Sequence, residues 1–218
     1  MTLNSNLKQK ALIRIVDDDE TVRRALSLFL SMADWRVKAY ASAIELLDAD
    51  DPAEPGCMIL DVRMPGTSGI ELHEELCRRG SDIPVIFLSA HGDIEMAVEA
   101  VHRGAKTFLV KPPQPEKLLA LIEEAVADLF ERRRTRDYLA DLQKQWQTLT
   151  AAEQQVALMI GKGLTSAAAA EALGVTERTV RTQRASVYDK LDLENAVELA
   201  DFLHELDPIL NAPKGEAR

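Results

Sequence analysis

Four short apolar runs, each closed by a polar or reactive group, constrain this chain more than any other feature. Ile13-Arg14-Ile15-Val16 runs into Asp17 and Asp18, and Cys57-Met58-Ile59-Leu60 ends at Asp61. Val85-Ile86-Phe87-Leu88 ends at Ser89, and Thr107-Phe108-Leu109-Val110 ends at Lys111. Runs this short, bounded by turn residues and rich in apolar and β-branched side chains, read as buried strands. In an open parallel α/β sheet, ligands bind at the carboxyl ends of the strands. Three acids, a hydroxyl and an ammonium are therefore expected at one sheet edge.

From residue 11 to about 130 the chain alternates five times between a strand-like run and an amphipathic segment, the pattern of a doubly wound α/β domain. The strands are expected at Leu12–Val16, Arg36–Ala39, Met58–Asp61, Val85–Ser89 and Thr107–Val110. Helices are expected near 20–32, 43–48, 69–79 and 94–103, with a last one from about 115. Ser42-Ala43-Ile44-Glu45 has capping-box form and should open the second helix. A five-stranded parallel sheet of this flavodoxin-like class has strand order 2-1-3-4-5.

The last helix continues past this domain. Leu118, Leu121, Ile122, Ala125, Val126 and Leu129 keep helical spacing, and the charged stretch Glu131-Arg132-Arg133-Arg134 follows. Residues 131–148 read as a helical linker with an apolar stripe of Tyr138, Leu142 and Trp146. Such a stripe is ordinarily part of a solvated linker; the alternatives are packing on the second domain or on a partner's linker. An all-α domain is expected over 149–207. Thr150-Ala151-Ala152-Glu153 opens its first helix, which ends near Gly161 or Gly163. A short helix at Ser166–Leu173 is closed by Gly174. Thr176 caps a longer one to about Leu191, and Ala196–Leu206 supplies a fourth. A short helix, a tight glycine-containing turn and a longer helix make a helix-turn-helix.

A carboxylate can attack phosphorus to form an acyl phosphate, and charge neutralisation and positioning do most of the catalysis. Mg²⁺ suits such a site because it takes near-octahedral oxygen ligands. Asp17, Asp18 and Asp61 are candidate carboxylate ligands, with the main-chain carbonyl of Arg63 as a neutral one. Lys111 and Ser89 are placed to meet phosphoryl oxygens. Any one of these acids alone would read as a solvated surface charge; five matching groups at the ends of four strands do not.

Residues 11 to about 130 resemble the receiver domain of a two-component response regulator. The resemblance rests on Ile15-Val16-Asp17-Asp18, Asp61-Val62-Arg63-Met64-Pro65-Gly66, Ser89-Ala90 and Lys111-Pro112. It implies Asp61 as phosphoacceptor, Asp17 and Asp18 as the Mg²⁺ pair, Ser89 as the switch hydroxyl, Phe108 as the switch aromatic and Lys111 as the phosphoryl-binding lysine. It also implies a cis peptide at Lys111-Pro112. Asp19 stands where the related pattern often has Glu, which leaves the metal pair open by one residue. Pro113 replaces a common aromatic, and His91 lies at a position that tunes phosphoryl lifetime in the family, although a lone histidine there reads as a rim residue rather than a catalyst. His73, His102 and His204 show no metal-ligand spacing.

In the second domain Arg178, Arg181 and Arg184 recur every three residues, and Val180, Val187 and Leu191 supply an anchoring face. A basic face of this kind can meet phosphates and base edges in a major groove about 12 Å wide. Leu149-Thr150, Gly163-Leu164-Thr165, the run from Glu171 to Arg181, and Lys190-Leu191 resemble the LuxR-type helix-turn-helix. Joined to the receiver pattern, residues 11–205 resemble a NarL/FixJ-type transcription factor. The resemblance implies Thr179, Arg181, Arg184 and Lys190 as DNA contacts. It departs from the family at Ala167-Ala168-Ala169-Ala170, where phosphate-contacting side chains are common, and at Gln183, where His is common.

Charge distribution agrees with this division of labour. The chain carries −10 overall, which alone would argue against nucleic acid. Residues 1–130 hold 14 Lys/Arg against 22 Asp/Glu, whereas residues 131–191 hold 10 against 7, so the acid belongs to the first domain. The apolar runs are too short to span a bilayer. Met1–Asn6 lacks the order of a signal peptide, and two cysteines, Cys57 and Cys77, read as small core side chains in a reducing, cytoplasmic setting. The expected partners are a sensor histidine kinase, promoter DNA, a second copy of the chain on phosphorylation, and the transcription machinery. The rival reading is a phosphorylation-gated module whose C-terminal helices bind a protein. An enzyme acting on a free substrate is weaker still, since there is no substrate-sized insertion or lid segment.

Overall fold

The computed structural model describes residues 5–90 and 106–211. The chain divides into two compact units, with the boundary between Arg132 and Arg133.

The first unit opens with helix α1 (Ser5–Lys10) and holds strands β1 (Leu12–Val16), β2 (Arg36–Tyr40), β3 (Gly56–Asp61), β4 (Val85–Ser89) and β5 (Thr107–Val110). All four pairings are parallel and the order is β2-β1-β3-β4-β5. Helices α2 (Glu20–Met32), α3 (Ala43–Ala49) and α4 (Gly69–Arg78) lie between strands, and α5 (Pro115–Gln147) follows β5. Continuous apolar strands arise because alternate side chains enter two different cores. Ile13, Ile15, Ile59, Ile86 and Leu88 join Leu26 and Leu30 of α2 and Leu118 and Ile122 of α5. Val16, Met58, Leu60, Val85 and Phe87 join Leu46 of α3 and Leu72 of α4.

Local chemistry sets the helix starts. Asp19, Ser42 and Ser68 cap α2, α3 and α4, and Ser68 forms a reciprocal capping box with Glu71. Gly69 is required at its position: a Cβ there would lie 2.0 Å from the carbonyl oxygen of Asp61. The missing side chain lets α4 begin directly against the end of β3.

The structure differs from the sequence expectations in several places. β3 begins two residues earlier, because Gly56 pairs with Leu12, and β2 extends to Tyr40, opposite Val16. The α1 helix had no sequence signal of its own; Lys8 ties it to Glu123 at 3.0 Å and lies 5.1 Å over the Trp35 ring. Arg14, within an apolar run, is fully buried. Its guanidinium donates to Asp50 Oδ2 at 2.6 Å and to the carbonyls of Leu12, Asp51 and Glu54, while Tyr40 donates to Asp50 Oδ1 at 2.7 Å. A buried charge is tolerated when its hydrogen bonds are satisfied in this way. The expected helix at 94–103, with His91 and His102, lies outside the described residues.

The second unit takes the end of α5 and helices α6 (Ala151–Gly161), α7 (Ser166–Leu173), α8 (Glu177–Leu191) and α9 (Ala196–Leu210). Leu142 and Trp146 are buried in its core with Val156, Ile160, Val180, Val187, Leu199 and Phe202, whereas Tyr138 is half exposed. Leu142 and Trp146 of the apolar stripe on α5 are therefore core of the second unit, while Tyr138 stays on a solvated face. Gly174 closes α7 in the left-handed conformation, φ +67°, which a side chain would disfavour. α9 runs four residues beyond expectation. Pro208 falls in its last turn, where one missing amide donor does not end the helix.

Candidate functional site

Parallel pairing aligns the strand ends, so groups far apart in sequence share one edge. Asp17 follows Val16, whose partner on β3 is Leu60, and Asp61 is next along that strand. Carboxylate oxygens of Asp17, Asp18 and Asp61 lie within 4.8 Å of one another. Asp17 and Asp61 are buried and Asp18 is exposed. Lys111, at the end of β5, reaches both buried acids, with Nζ 2.7 Å from Asp17 Oδ2 and 3.0 Å from Asp61 Oδ1. The Lys111-Pro112 peptide is cis.

The electrostatics of this cluster are unbalanced. Burial pushes the Asp61 carboxyl above the usual aspartate value, and the neighbouring Asp17 adds to that. Hydrogen bonding and charge from Lys111, and the Arg63 amide, work in the opposite direction. Burial would lower the Lys111 ammonium, but its bonds to Asp17 and Asp61 outweigh this and hold it above the ordinary lysine value. Three carboxylates thus face one ammonium. The donor set is hard oxygen, and its excess negative charge suits a small divalent cation such as Mg²⁺.

Asp19 is separated from this cluster by its own task. Its Oδ1 accepts the Thr21 amide at 2.7 Å, and this backbone hydrogen bond leads the causes that lower its carboxyl's pKa. Asp17 instead accepts the Asp19 amide at 3.0 Å, and Arg23 donates to the Asp17 carbonyl at 2.6 Å. Ser89 is buried and donates to the Ala90 carbonyl at 2.9 Å. Phe108 is half-buried against the core that holds Leu60 and Phe87. Arg63 is exposed, with its amide hydrogen-bonded to Asp61.

On α8 the expected basic face is divided. Arg178 and Arg181 line one shallow hollow with Glu177, Thr182 and Ala185. Arg184 instead lies 5.3 Å over the ring of Tyr188. At about 3.6 residues per turn, each three-residue step falls about 60° short of a full turn, so Arg184 is rotated well away from Arg178. Arg181 is held by Glu177, one turn earlier, through Nε at 3.0 Å and a terminal nitrogen at 2.7 Å. The Thr179 hydroxyl is 2.8 Å from that of Thr176, the cap of α8. Lys190 is bound at the other end, with Nζ 2.7 and 3.0 Å from the two oxygens of Glu153.

Glu153 was visible in the sequence only as half of a capping box. Besides that role it accepts from Ser186 at 2.6 Å and from Lys190, so one carboxylate ties α6 to α8. Hydrogen bonds from Lys190, then Ser186, then the Thr150 amide hold its carboxyl down at about 2. Ala185 and Glu177 were also missed as lining of the α8 hollow, which they share with Arg178, Arg181 and Thr182. Their common signal is spacing of three, four and seven residues around Arg178 and Arg181.

Comparison with known proteins agrees with both halves. The pattern described as "Response regulator receiver domain" matches residues 13–123, and that of "Bacterial regulatory proteins, luxR family" matches residues 147–203. The transcriptional regulatory protein FixJ of Azorhizobium caulinodans is 36% identical over 187 residues, which is 86% of this chain and 89% of that protein. Nodulation protein W of Bradyrhizobium diazoefficiens is 37% identical over 194 residues, 89% of this chain and 84% of its own length. The solved structure of the response regulator StyR has a TM-score of 0.83 at 37% identity, covering 90% of this chain and 99% of that one. Carrying both patterns and matching such relatives over nearly their whole length, the chain belongs to the two-component response regulators of the NarL/FixJ type, in which a receiver domain precedes a LuxR-type helix-turn-helix domain.

Proposed function

We propose that Asp61 is the phosphoacceptor of a phosphorylation-activated transcription regulator, with receiver 11–130, helical linker 131–148 and DNA-binding domain 149–207. The observation that carries this reading is Lys111 bridging Asp17 and Asp61 at the carboxyl edge of the sheet. An Asp61 oxygen attacks the phosphorus of a phosphohistidine on a sensor histidine kinase, or of a small phosphodonor. In the kinase reaction the P–N bond breaks as the P–O bond forms, and the imidazole leaves with the electron pair. Mg²⁺ held by Asp17, Asp18, Asp61 and the Arg63 carbonyl would neutralise phosphoryl oxygens. Lys111 binds a further oxygen of the transferred group.

Phosphorylation adds about −1.5 to −2 charge beside Asp61. Ser89 then exchanges its Ala90 carbonyl for a phosphoryl oxygen, and Phe108 turns inward. The surface at 94–110, largely outside the described residues, becomes a homodimer contact. In the cytoplasm the dimer binds two promoter half-sites related by two-fold symmetry and engages the transcription machinery. Thr179, Arg181 and Arg184 contact DNA. Lys190 joins them as a DNA contact from the end of α8, with its ammonium also paired to Glu153. Among the described residues no helix is long and apolar enough to cross a membrane.

The test is selection of bound genomic fragments with and without beryllofluoride and Mg²⁺. Enrichment of a two-fold sequence only in the loaded state is the expected result. No enriched sequence in either state would move the reading to a protein-binding output. A beryllofluoride-loaded sample that sediments as a monomer would remove the dimer.

A further inference from the structure

A second cluster of metal-type donors lies away from the carboxylate site, on α4. His73 and Cys77 are one turn apart on the same helix face, with His73 Nε2 3.6 Å from Cys77 Sγ. The imidazole is 5% exposed and is held edge-on against Phe87, ring centroids 5.7 Å apart and planes at 83°. Cys77 is exposed. The pair is therefore fixed on its protein side and open on the other. It lines a cavity of about 460 Å³ whose wall includes Asp82, Asp128 and Glu131, with Lys106 and Arg132.

The separation suits a shared metal ion. Zn–S of about 2.3 Å and Zn–N of about 2.0–2.1 Å at a tetrahedral angle place the two donors about 3.5 Å apart. Cys77 is the penultimate residue of α4, where the carbonyl end of a helix favours a cation. The cavity's two basic groups are engaged: Lys106 with Asp128 and Glu124, and Arg132 with the Asp82 carbonyl. Thiolate and imidazole select Zn²⁺-class ions over Mg²⁺, so this chemistry differs from that of the Asp17, Asp18 and Asp61 cluster.

We propose that His73 and Cys77 form a two-residue clip for a Zn²⁺-class divalent cation whose remaining positions are filled by water; among the described residues no carboxylate lies close enough to the pair to be a third donor. As the sulfur–metal bond forms, the thiol proton leaves to solvent, and no oxidant or reductant is needed. The fully buried Cys57 takes no part.

The test is titration of the full-length protein with Co²⁺ and with Zn²⁺, in excess Mg²⁺ to occupy the carboxylate cluster. The expected result is one equivalent of Co²⁺ giving a thiolate-to-cobalt charge-transfer band that Zn²⁺ displaces. Cys77→Ser, at an exposed position, should abolish the band and weaken Zn²⁺ binding by about ten-fold or more. His73→Gln should weaken it comparably, with circular dichroism reporting whether that buried variant folds. Absence of the band in the wild type overturns the proposal. So does a Zn²⁺ signal that survives Cys77→Ser but disappears in Asp61→Asn, which would assign the ion to the carboxylates.

Discussion

Each unit of this protein contains a lysine clamped by acid, and the two clamps behave oppositely. Around Lys111 two buried carboxylates, Asp17 and Asp61, share one ammonium with a third acid, Asp18, beside them, and burial pushes the Asp61 carboxyl up. Around Glu153 the ratio is reversed: one carboxylate receives Lys190, Ser186 and the Thr150 amide, and its pKa is held down at about 2. The same pair of residue types thus makes two different devices. An excess of acceptors leaves demand for an added cation or a change of charge, as a phosphoryl-accepting site requires. An excess of donors leaves nothing to add, and the result is a fastening between helices.

Substitutions should separate the two devices, beginning with the chemistry. Asp61→Asn should abolish phosphoryl uptake from a small phosphodonor, measured by intact-protein mass, while Glu153→Gln leaves uptake unchanged. Uptake retained by Asp61→Asn at another carboxylate would break the contrast at its first step.

Glu153→Gln should destabilise the helical unit by about 1 kcal/mol, because it leaves the part-exposed Lys190 ammonium with a weaker, neutral acceptor. Thermal unfolding of the full chain reads this as a lowered transition for the second unit alone. The same carboxylate gives an acid signature. Its folded pKa of about 2 lies below the unfolded value near 4.5, so its contribution is complete above that unfolded value. It declines as pH falls from there toward about 2. Glu153→Gln should remove that slope in an acid-unfolding series.

Asp61 carries the opposite sign. Its folded pKa is raised, so its ionisation costs stability once pH exceeds the unfolded value, and Asp61→Asn should stabilise the first unit at neutral pH without divalent cation. Mg²⁺ should stabilise the wild-type first unit and leave the second unchanged. A smaller effect is expected at Arg181, an exposed residue already paired with Glu177. Arg181→Ala should reduce the salt slope of DNA binding by about one if it meets a phosphate, or relax preference at one base position if it meets a base edge. Unchanged affinity, slope and preference would remove it from the interface.

Much of the first site was legible because parallel strands convert sequence position into spatial position. A polar group at the end of each apolar run must arrive at the same edge, so Asp17, Asp61, Ser89 and Lys111 were recognisable before any geometry. Helix starts were legible for a similar reason: Ser42, Thr150 and Thr176 act on amides only two or three residues away. Arg14 shows where this reasoning stops. Within Ile13-Arg14-Ile15 nothing indicates that Asp50, the carbonyls of Asp51 and Glu54, and Tyr40 will enclose the guanidinium, since those partners are 26 to 40 residues away.

Sequence alone determined the two-part architecture, which groups end the strands, the caps at Ser42, Thr150, Thr176 and Gly174, and the family, all of which depend on local periodicity or on motifs of a few residues. Tertiary structure decided which neighbouring acid joins the cluster, since Asp19 is spent on capping α2 while Asp17 and Asp18 turn to Asp61. It also decided that Leu142 and Trp146 belong to a core, that Arg184 leaves the face of Arg178, and that Lys190 fastens α8 to α6 through Glu153. Those outcomes depend on side-chain direction and on long-range partners competing for the same groups, and the order of residues along a chain does not specify the winner of that competition.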